Sequence, residues 1–236
     1  MKATFLLEGM MKIGYDAITF GERDFLMGSK FLLNMKKKFN IPFVSANIYY
    51  PDSTTRFVEP YIIRSYPSGG FGLFKKQLRV GIFGVMMSRA RLVYSETDVQ
   101  LITKDPIESA KEVVAELSGK CDVIVALGHL MYNQIDQLAR DVPGIDIIVG
   151  THDYLRRVAP IQIKNTWVLQ TGSKGQFIGD MRIELNNQKQ LMNVDGVVES
   201  LDTKFKDDPS LQIFLDAFDR AYDDTAKKEL EARHSN

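Results

Sequence analysis

The chain has 236 residues, 44% hydrophobic and 25% charged, which is ordinary for a globular protein of one or two domains. Its 30 basic and 30 acidic residues cancel, which argues against a general nucleic-acid binder that gains affinity by neutralising phosphates. The single cysteine excludes an internal disulfide framework, and no apolar run approaches the roughly 20 residues of a membrane-spanning helix.

Strand-like and helix-like patterns alternate along the first part of the chain. The amino terminus predicts an amphipathic helix, with Phe5, Leu6, Met10 and Ile13 on or near one face. The next predicted elements are a buried strand over residues 15–20, a helix over about residues 24–39, a strand over residues 42–50 and a hairpin over residues 61–86. Glycines at positions 69, 70 and 72 supply the turn of this hairpin, and its return strand begins at Gln77.

The middle of the chain predicts a parallel sheet. Asp105 can cap a helix that begins at Pro106, and the apolar run over residues 121–130 is typical of a buried parallel strand. A short helix over residues 133–142 leads to a second such run over residues 144–154. This order of strands and helices predicts an α/β architecture with right-handed crossovers.

The pattern changes after His152, where successive antiparallel strands and then a polar helix over about residues 209–233 are predicted. We therefore expect one α/β domain over residues 1–205. Residues 206–236 are expected to form a C-terminal helix that acts as an interdomain connector or an oligomer contact.

Polar side chains follow three of the predicted strands. They are the segment Gly21-Glu22-Arg23-Asp24, His129, and His152 with Asp153. In α/β folds, ligands bind beyond the carboxyl ends of parallel strands. Imidazole and carboxylate groups that meet at one such edge can bind Zn²⁺, Mn²⁺ or Fe. Without a metal, the two histidines would instead bind buried carbonyl groups.

A glycine precedes both strand-end histidines, and we expect Gly128 and Gly150 to let the backbone turn sharply there and leave the site open. The third histidine of the chain, His234, lies in the polar tail.

Taken in order, these segments resemble the 5′-nucleotidase branch of the calcineurin-like metallophosphoesterases, from about Phe5 to Phe218. "GYDAITFGERDF" matches the place where that branch reads Gly-Tyr-Asp-Ala and then Gly-Asn-His-Glu-Phe. "PGIDIIVGTHDY" matches its Gly-Ile-Asp and Gly-Gly-His-Ser-His motifs. Four further strands of the branch match "FVSANI", "KQLRVGIFGVM", "DVIVALGHL" and "LQTGSKGQFIGDMRIEL".

The resemblance implies a four-layer α/β/β/α sandwich with mixed sheets, in which two divalent metal ions (Mn, Zn, Fe or Mg) support hydrolysis of phosphate esters such as nucleotides. It places His129 and His152 at metal-binding positions. Glu22 stands where the family has a ligand asparagine. Arg23 stands where the family has its catalytic histidine; arginine can hold a phosphate through two hydrogen bonds but cannot donate a proton at neutral pH.

Three more positions are candidates by the same resemblance. Asp24 is a second catalytic candidate. Asn47, at the end of "VSAN", is a substrate-binding candidate that could instead bind the backbone of a loop. Tyr154 replaces the second histidine of the last motif and is also a substrate-binding candidate. For the segment "GERD" itself, the alternative is a charge network in which Arg23 pairs with Glu22, Asp24 or Asp153.

The chain departs from the family at its start. It has no counterpart of the family's first strand or of the next motif, which supplies a bridging aspartate. The metal site is therefore expected to be incomplete, with reduced or absent occupancy. One hypothesis is a weak hydrolase of a small-molecule phosphate ester, and the other is a catalytically inactive binding or scaffold module that keeps the fold. A missing central strand would leave an unpaired sheet edge, to be completed by a homodimer or by an upstream segment.

A fragment of a longer protein is a third interpretation. The sequence as it stands predicts a cytoplasmic protein, because no export signal is visible, and a periplasmic one if an upstream signal has been lost.

Overall fold

The structure is a computed structural model that describes residues 1–68, 77–95, 98–153 and 155–234, with side chains described as far as residue 223. The helices are α1 (Lys2–Ile13), the 3₁₀ helix η1 (Glu22–Met27), α2 (Ser29–Phe39), α3 (Pro106–Leu117), α4 (Tyr132–Asp141) and α5 (Pro209–His234). The strands are β1 (Ile48–Tyr49), β2 (Tyr61–Pro67), β3 (Gln77–Met86), β4 (Ile102–Thr103), β5 (Val123–Leu130), β6 (Ile147–His152), β7 (Ile161–Ile163), β8 (Thr166–Gln170), β9 (Phe177–Leu185) and β10 (Leu191–Ser200).

The centre of the fold is a mixed sheet, six-stranded within the described residues, with strand order β2-β3-β5-β6-β8-β7. β3, β5, β6 and β8 run parallel, and β2 and β7 run antiparallel at the two edges. β1 with β4, and β9 with β10, form separate antiparallel pairs. The predicted α/β class with mixed sheets is confirmed, and the parallel strands bring their carboxyl ends to one edge.

A local capping signal in the sequence explains where α3 begins. The Asp105 side chain accepts hydrogen bonds from the N–H groups of Ile107 and Glu108, so α3 begins at Pro106 as predicted. β2 and β3 pair as the two strands of the predicted hairpin. Its predicted turn, with Gly69, Gly70 and Gly72, lies outside the described residues.

Two apolar clusters lie on opposite faces of β3. Phe83 and Val85 belong to the cluster beneath α3 and α4, whereas Met86 belongs to the cluster with Phe20 and Phe25. This division follows from the alternation of side chains along a strand. Each fully buried side chain of this size contributes about 1.5–3 kcal/mol, so both clusters hold the sheet in place.

The predicted strand over residues 15–20 is not a strand. Ile18 makes a single parallel bridge to Phe43, and Tyr15 is 45% exposed. The predicted strand over residues 42–50 is likewise reduced to β1, which pairs with β4. Phe20 and Phe43 in these segments are buried by side-chain packing in the second cluster rather than by a continuous hydrogen-bonded ladder.

The predicted helix over residues 24–39 is divided at Gly28, whose φ of 84° ends η1 before α2 begins. The amphipathic helix α1 forms, but Leu6 and Ile13 are each 61% exposed. Its buried contacts come from Leu7 and Met11, which pack on the second cluster. Leu6 and Ile13 do not pack on the core, because α1 presents Leu7 and Met11 to the second cluster instead.

The C-terminal helix α5 packs on α1 through aromatic side chains. The ring of Phe5 lies 4.0 Å from that of Phe214 and 4.1 Å from that of Phe218. The division at residue 205 stays a prediction. No helix in the described part of the chain combines the length and the apolar character needed to cross a membrane.

A distant carboxylate holds the start of α2. Asp98 accepts hydrogen bonds from the N–H and hydroxyl of Ser29. Burial alone would raise the pKa of Asp98, but these hydrogen bonds outweigh it and hold the pKa below its ordinary value. The carboxylate therefore stabilises the fold above the unfolded-state pKa of about 3.8, and this contribution is lost as the pH falls through the lowered native pKa.

We expect Asp98→Ala to lower the free energy of unfolding by about 1–2 kcal/mol at pH 7, because α2 loses its cap. The difference from the unsubstituted protein should shrink below about pH 4, where the carboxylate becomes protonated. Urea unfolding at pH 7 and pH 3 measures both effects. Asp207→Ala is the control, since Asp207 is exposed and makes no side-chain hydrogen bond within the described residues. A loss that is equal at both pH values would contradict the expected role of the charge.

Candidate functional site

Three potential metal ligands meet at the carboxyl edge of the parallel strands. His129 is near the end of β5 and His152 ends β6, and these strands are neighbours in parallel register. Glu22 is the first residue of η1, and this helix brings it to the same edge. One ligand atom from each of the three residues lies within 4.8 Å of the others. The convergence expected from the strand ends is therefore present.

The three side chains are half-buried and already interact. The carboxylate Oε2 of Glu22 lies 2.7 Å from Nε2 of His129, and the imidazole rings of His129 and His152 lie 4.8 Å apart in an edge-to-face arrangement. Burial alone would raise the pKa of Glu22, but hydrogen bonds from its own backbone and from His129 outweigh it and lower the pKa. Glu22 is therefore ionised at neutral pH.

Neighbouring side chains orient both histidines. Thr151 Oγ1 lies 3.4 Å from Nδ1 of His129, and Asp153 Oδ1 lies 3.4 Å from Nδ1 of His152. The other carboxylate oxygen of Asp153 accepts the N–H of Tyr132, the first residue of α4. Partners of this kind fix the ring orientation of metal-binding histidines.

The backbone at His152 is in an unusual conformation, with φ of 103°. L-residues other than glycine rarely adopt positive φ, and such conformations cluster at functional sites, where the surrounding structure enforces them. His152 is thus held in place by β6 on one side and by the Asp153 contact to α4 on the other.

The first turn of η1 can approach His129 only because residue 21 is glycine. A Cβ atom at Gly21 would lie 2.8 Å from Cε1 of His129. The N–H of Gly21 donates to Asp24 Oδ2 at 2.7 Å, and the Tyr94 hydroxyl donates to the Glu22 carbonyl oxygen at 3.3 Å. These two contacts fix the turn that presents Glu22.

The glycines before the histidines have a different role from the expected sharp turn. Gly128 and Gly150 lie inside β5 and β6 and do not have positive φ. A Cβ atom at these positions would come within 2.6 Å and 3.2 Å of Ile135 Cδ1 on α4. They are needed because α4 packs closely on the strands behind the site.

The two catalytic candidates line the same cavity as the metal-ligand group, and its volume is about 620 Å³. Arg23 is exposed, and within the described residues it makes no ion pair with Glu22, Asp24 or Asp153, so the alternative of a charge network is not observed there. Asp24 caps η1 through Gly21. Desolvation of its carboxyl group raises the pKa of Asp24, although much of the residue's surface remains exposed.

Of the substrate-binding candidates, Asn47 is fully buried and is not among the residues that line this cavity. Its Nδ2 donates to the carbonyl oxygens of Met86 and Lys104, and its Oδ1 accepts the N–H of Met86. These bonds favour the alternative in which Asn47 binds backbone. Tyr154 lies outside the described residues.

Sequence reasoning missed three residues that line the cavity, which are Thr19, Ser173 and Lys174. Ser173 and Lys174 follow β8, which is parallel to β6. The rule that ligands bind at the carboxyl ends of parallel strands would have found them had the sequence revealed that β8 is parallel to β6. They were missed because the strands after His152 were all taken as antiparallel.

The donor set fits a divalent cation. Two imidazole nitrogens and one carboxylate oxygen are ligand types that suit Zn²⁺, Mn²⁺ and Fe²⁺, and one such atom from each residue lies within 4.8 Å of the others. Within the described residues, this is the one group of three such ligands. The expectation of an incomplete two-metal site stays a prediction.

Comparisons with known proteins give consistent results. The chain is 32% identical over 161 residues to a 5′-nucleotidase of Vibrio cholerae, covering 61% of this chain and 27% of that protein. It is 25% identical over 275 residues to a 5′-nucleotidase of Vibrio vulnificus, covering 96% of this chain and 47% of that protein. The chain thus spans about half or less of these relatives' length. No family model matches it.

A solved structure shows the same fold. The calcineurin-like phosphoesterase YfkN from Bacillus subtilis aligns with a TM-score of 0.74 at 22% identity, covering 95% of this chain and 74% of that chain. The likeness covers nearly the whole chain and concerns its fold.

Proposed function

Because this chain belongs to the 5′-nucleotidase-like metallophosphoesterase family, we propose that it hydrolyses phosphate esters, nucleotides among them, at the site of Glu22, His129 and His152. The observation that carries the proposal is the convergence of these three ligand atoms within 4.8 Å at the edge of the parallel strands. The names of the relatives support this reaction class, and the convergence of the three potential ligand atoms supports this location for it.

The three ligands would hold one divalent ion, for which Mn²⁺, Zn²⁺, Fe²⁺ and Mg²⁺ are the candidates. Such an ion polarises a phosphoryl group and lowers the pKa of a bound water. In the hydrolysis itself, a water oxygen would form a bond to phosphorus as the ester P–O bond breaks, and a proton of that water would pass to the leaving ester oxygen or to solvent. The exposed guanidinium of Arg23 is on the cavity wall and can bind two phosphoryl oxygens as charge builds on them.

We also propose that the central sheet can be extended by a second copy of the chain or by a further segment. The edge strands β2 and β7 of the six-stranded sheet offer places where a second copy or a further segment could add a strand. The inactive binding or scaffold module is the alternative function, and neither the site nor the named relatives favour it.

Removal of the metal tests the function directly. We expect purified protein to contain bound divalent metal and to hydrolyse a generic aryl phosphate. Chelation should lower turnover by about 100-fold or more, and added Mn²⁺ should restore it, because a metal supplies several kcal/mol of transition-state stabilisation. Elemental analysis and the rate of phenolate release measure the two quantities. Metal-free protein that stays inert when Mn²⁺ is added would exclude the hydrolase and leave the binding module.

A further inference from the structure

We propose that Lys174 is an anion-binding residue of this site and that it makes the site select phosphomonoesters over phosphodiesters. The selectivity rests on the function proposed above, whereas the binding of an anion by Lys174 can be tested without turnover.

Lys174 and Ser173 belong to the loop that follows β8, and both line the cavity that contains Glu22, His129 and His152. The loop reaches the site because β8 is parallel to β6 and Gln170 is paired with Gly150, two residues before His152. Lys174 therefore follows the third of the parallel strands, β5, β6 and β8, whose carboxyl ends form the edge that carries the site. A substrate bound at the metal ligands would occupy the space that this side chain faces.

The backbone of Lys174 has φ of 64°, a left-handed conformation that lysine adopts only at a cost. Lys164 and Lys189 have φ of 52° and 63°, so the three form a natural comparison. The ammonium of Lys164 donates to the Arg140 carbonyl oxygen, and that of Lys189 pairs with Asp122 at 3.0 Å. Among the residues that the structure describes, the ammonium of Lys174 has no such partner.

The charges of the cavity favour a doubly charged ligand. Glu22 is engaged with His129, and Asp24 with the N–H of Gly21, and within the described residues neither carboxylate forms an ion pair with the cations of the wall. Those cations are Arg23 and Lys174. A phosphomonoester carries a charge of about −1.5 to −2 near neutral pH, whereas a diester carries one negative charge. The free ammonium should therefore contribute more to the binding of monoesters.

Lys174→Gly tests the proposal in the metal-loaded full-length chain. Glycine adopts the left-handed conformation freely, so folding should not suffer. We expect affinity for inorganic phosphate, measured by titration calorimetry, to fall by about 10- to 100-fold, as for loss of a charge-assisted hydrogen bond. The kcat/KM for an aryl phosphomonoester should fall by a similar factor, and that for the matching diester by less than about 3-fold.

Lys164→Gly is the matched control, because it removes a lysine from the same backbone conformation outside the cavity. It should leave phosphate affinity unchanged, and bound metal should be equal in all three proteins. Unchanged phosphate affinity in Lys174→Gly, or loss of its metal, would overturn the anion-binding role. Equal losses for both esters would overturn the selectivity. Phosphate binding that depends on Lys174 without any turnover would uphold the binding role while the hydrolase proposal fails.

Discussion

Replacement of His129 by alanine is expected to abolish stoichiometric metal binding and to lower kcat/KM for an aryl phosphate by about 1,000-fold or more, equivalent to about 4 kcal/mol. His129 is the central member of the ligand group, since it lies 2.7 Å from the Glu22 carboxylate and its ring is 4.8 Å from that of His152. Without it, the two remaining ligands cannot enclose an ion. Elemental analysis and steady-state kinetics measure the two losses.

His152→Ala should act in the same direction, and His234→Ala serves as a matched control because His234 lies in the last turn of α5. Circular dichroism should show that the His129 and His152 variants stay folded, as these two side chains are only half-buried. If His129 and His152 only formed hydrogen bonds to buried carbonyl groups, their replacement would lower the free energy of unfolding and leave metal content and turnover unchanged. Retained metal and full activity in His129→Ala would therefore refute the site.

The core of the site could be predicted from sequence because it depends on one topological rule. Apolar runs that end in His129 and His152 had to be parallel strands, and parallel neighbours bring their ends together. Glu22 was found by the same reasoning and by resemblance. Lys174 was not, since its place depends on β8 pairing in parallel with β6, and the short pattern of β8 carries no sign of its direction.

The elements that were predicted well are those whose apolar pattern is long or whose ends carry a local signal. β3 begins at Gln77 and α3 begins at Pro106 as expected. The segment over residues 15–20 was taken as a strand on its composition, yet Ile18 alone finds a pairing partner. Strand formation requires a neighbouring backbone, and that neighbour is set by tertiary packing, which a short sequence window does not contain.

Gly84→Ala is expected to lower the free energy of unfolding by about 3 kcal/mol, the upper part of the range for overpacking. A Cβ atom at Gly84 would overlap the Thr19 side chain and lie 2.5 Å from the Val44 carbonyl oxygen. The Thr19 side chain could rotate away, but the Val44 oxygen belongs to the backbone. The N–H of Ala46 also donates to the Gly84 carbonyl oxygen at 2.7 Å, which holds the two segments together. Urea or thermal unfolding measures the loss, which corresponds to about 6–12 °C in Tm.

The control for Gly84→Ala is Gly9→Ala in α1, where the new Cβ would lie 3.4 Å from the Phe214 ring. Alanine inside a helix is favoured over glycine by about 1 kcal/mol, so this variant should be at least as stable as the unsubstituted protein. Gly84→Ala should also weaken metal binding in the fraction that remains folded, because Thr19 leads directly into Gly21 and Glu22. Normal stability in Gly84→Ala would mean that the segment before Glu22 moves freely on β3. In that case the approach of Glu22 to His129 would have to be held by the contacts of η1 alone.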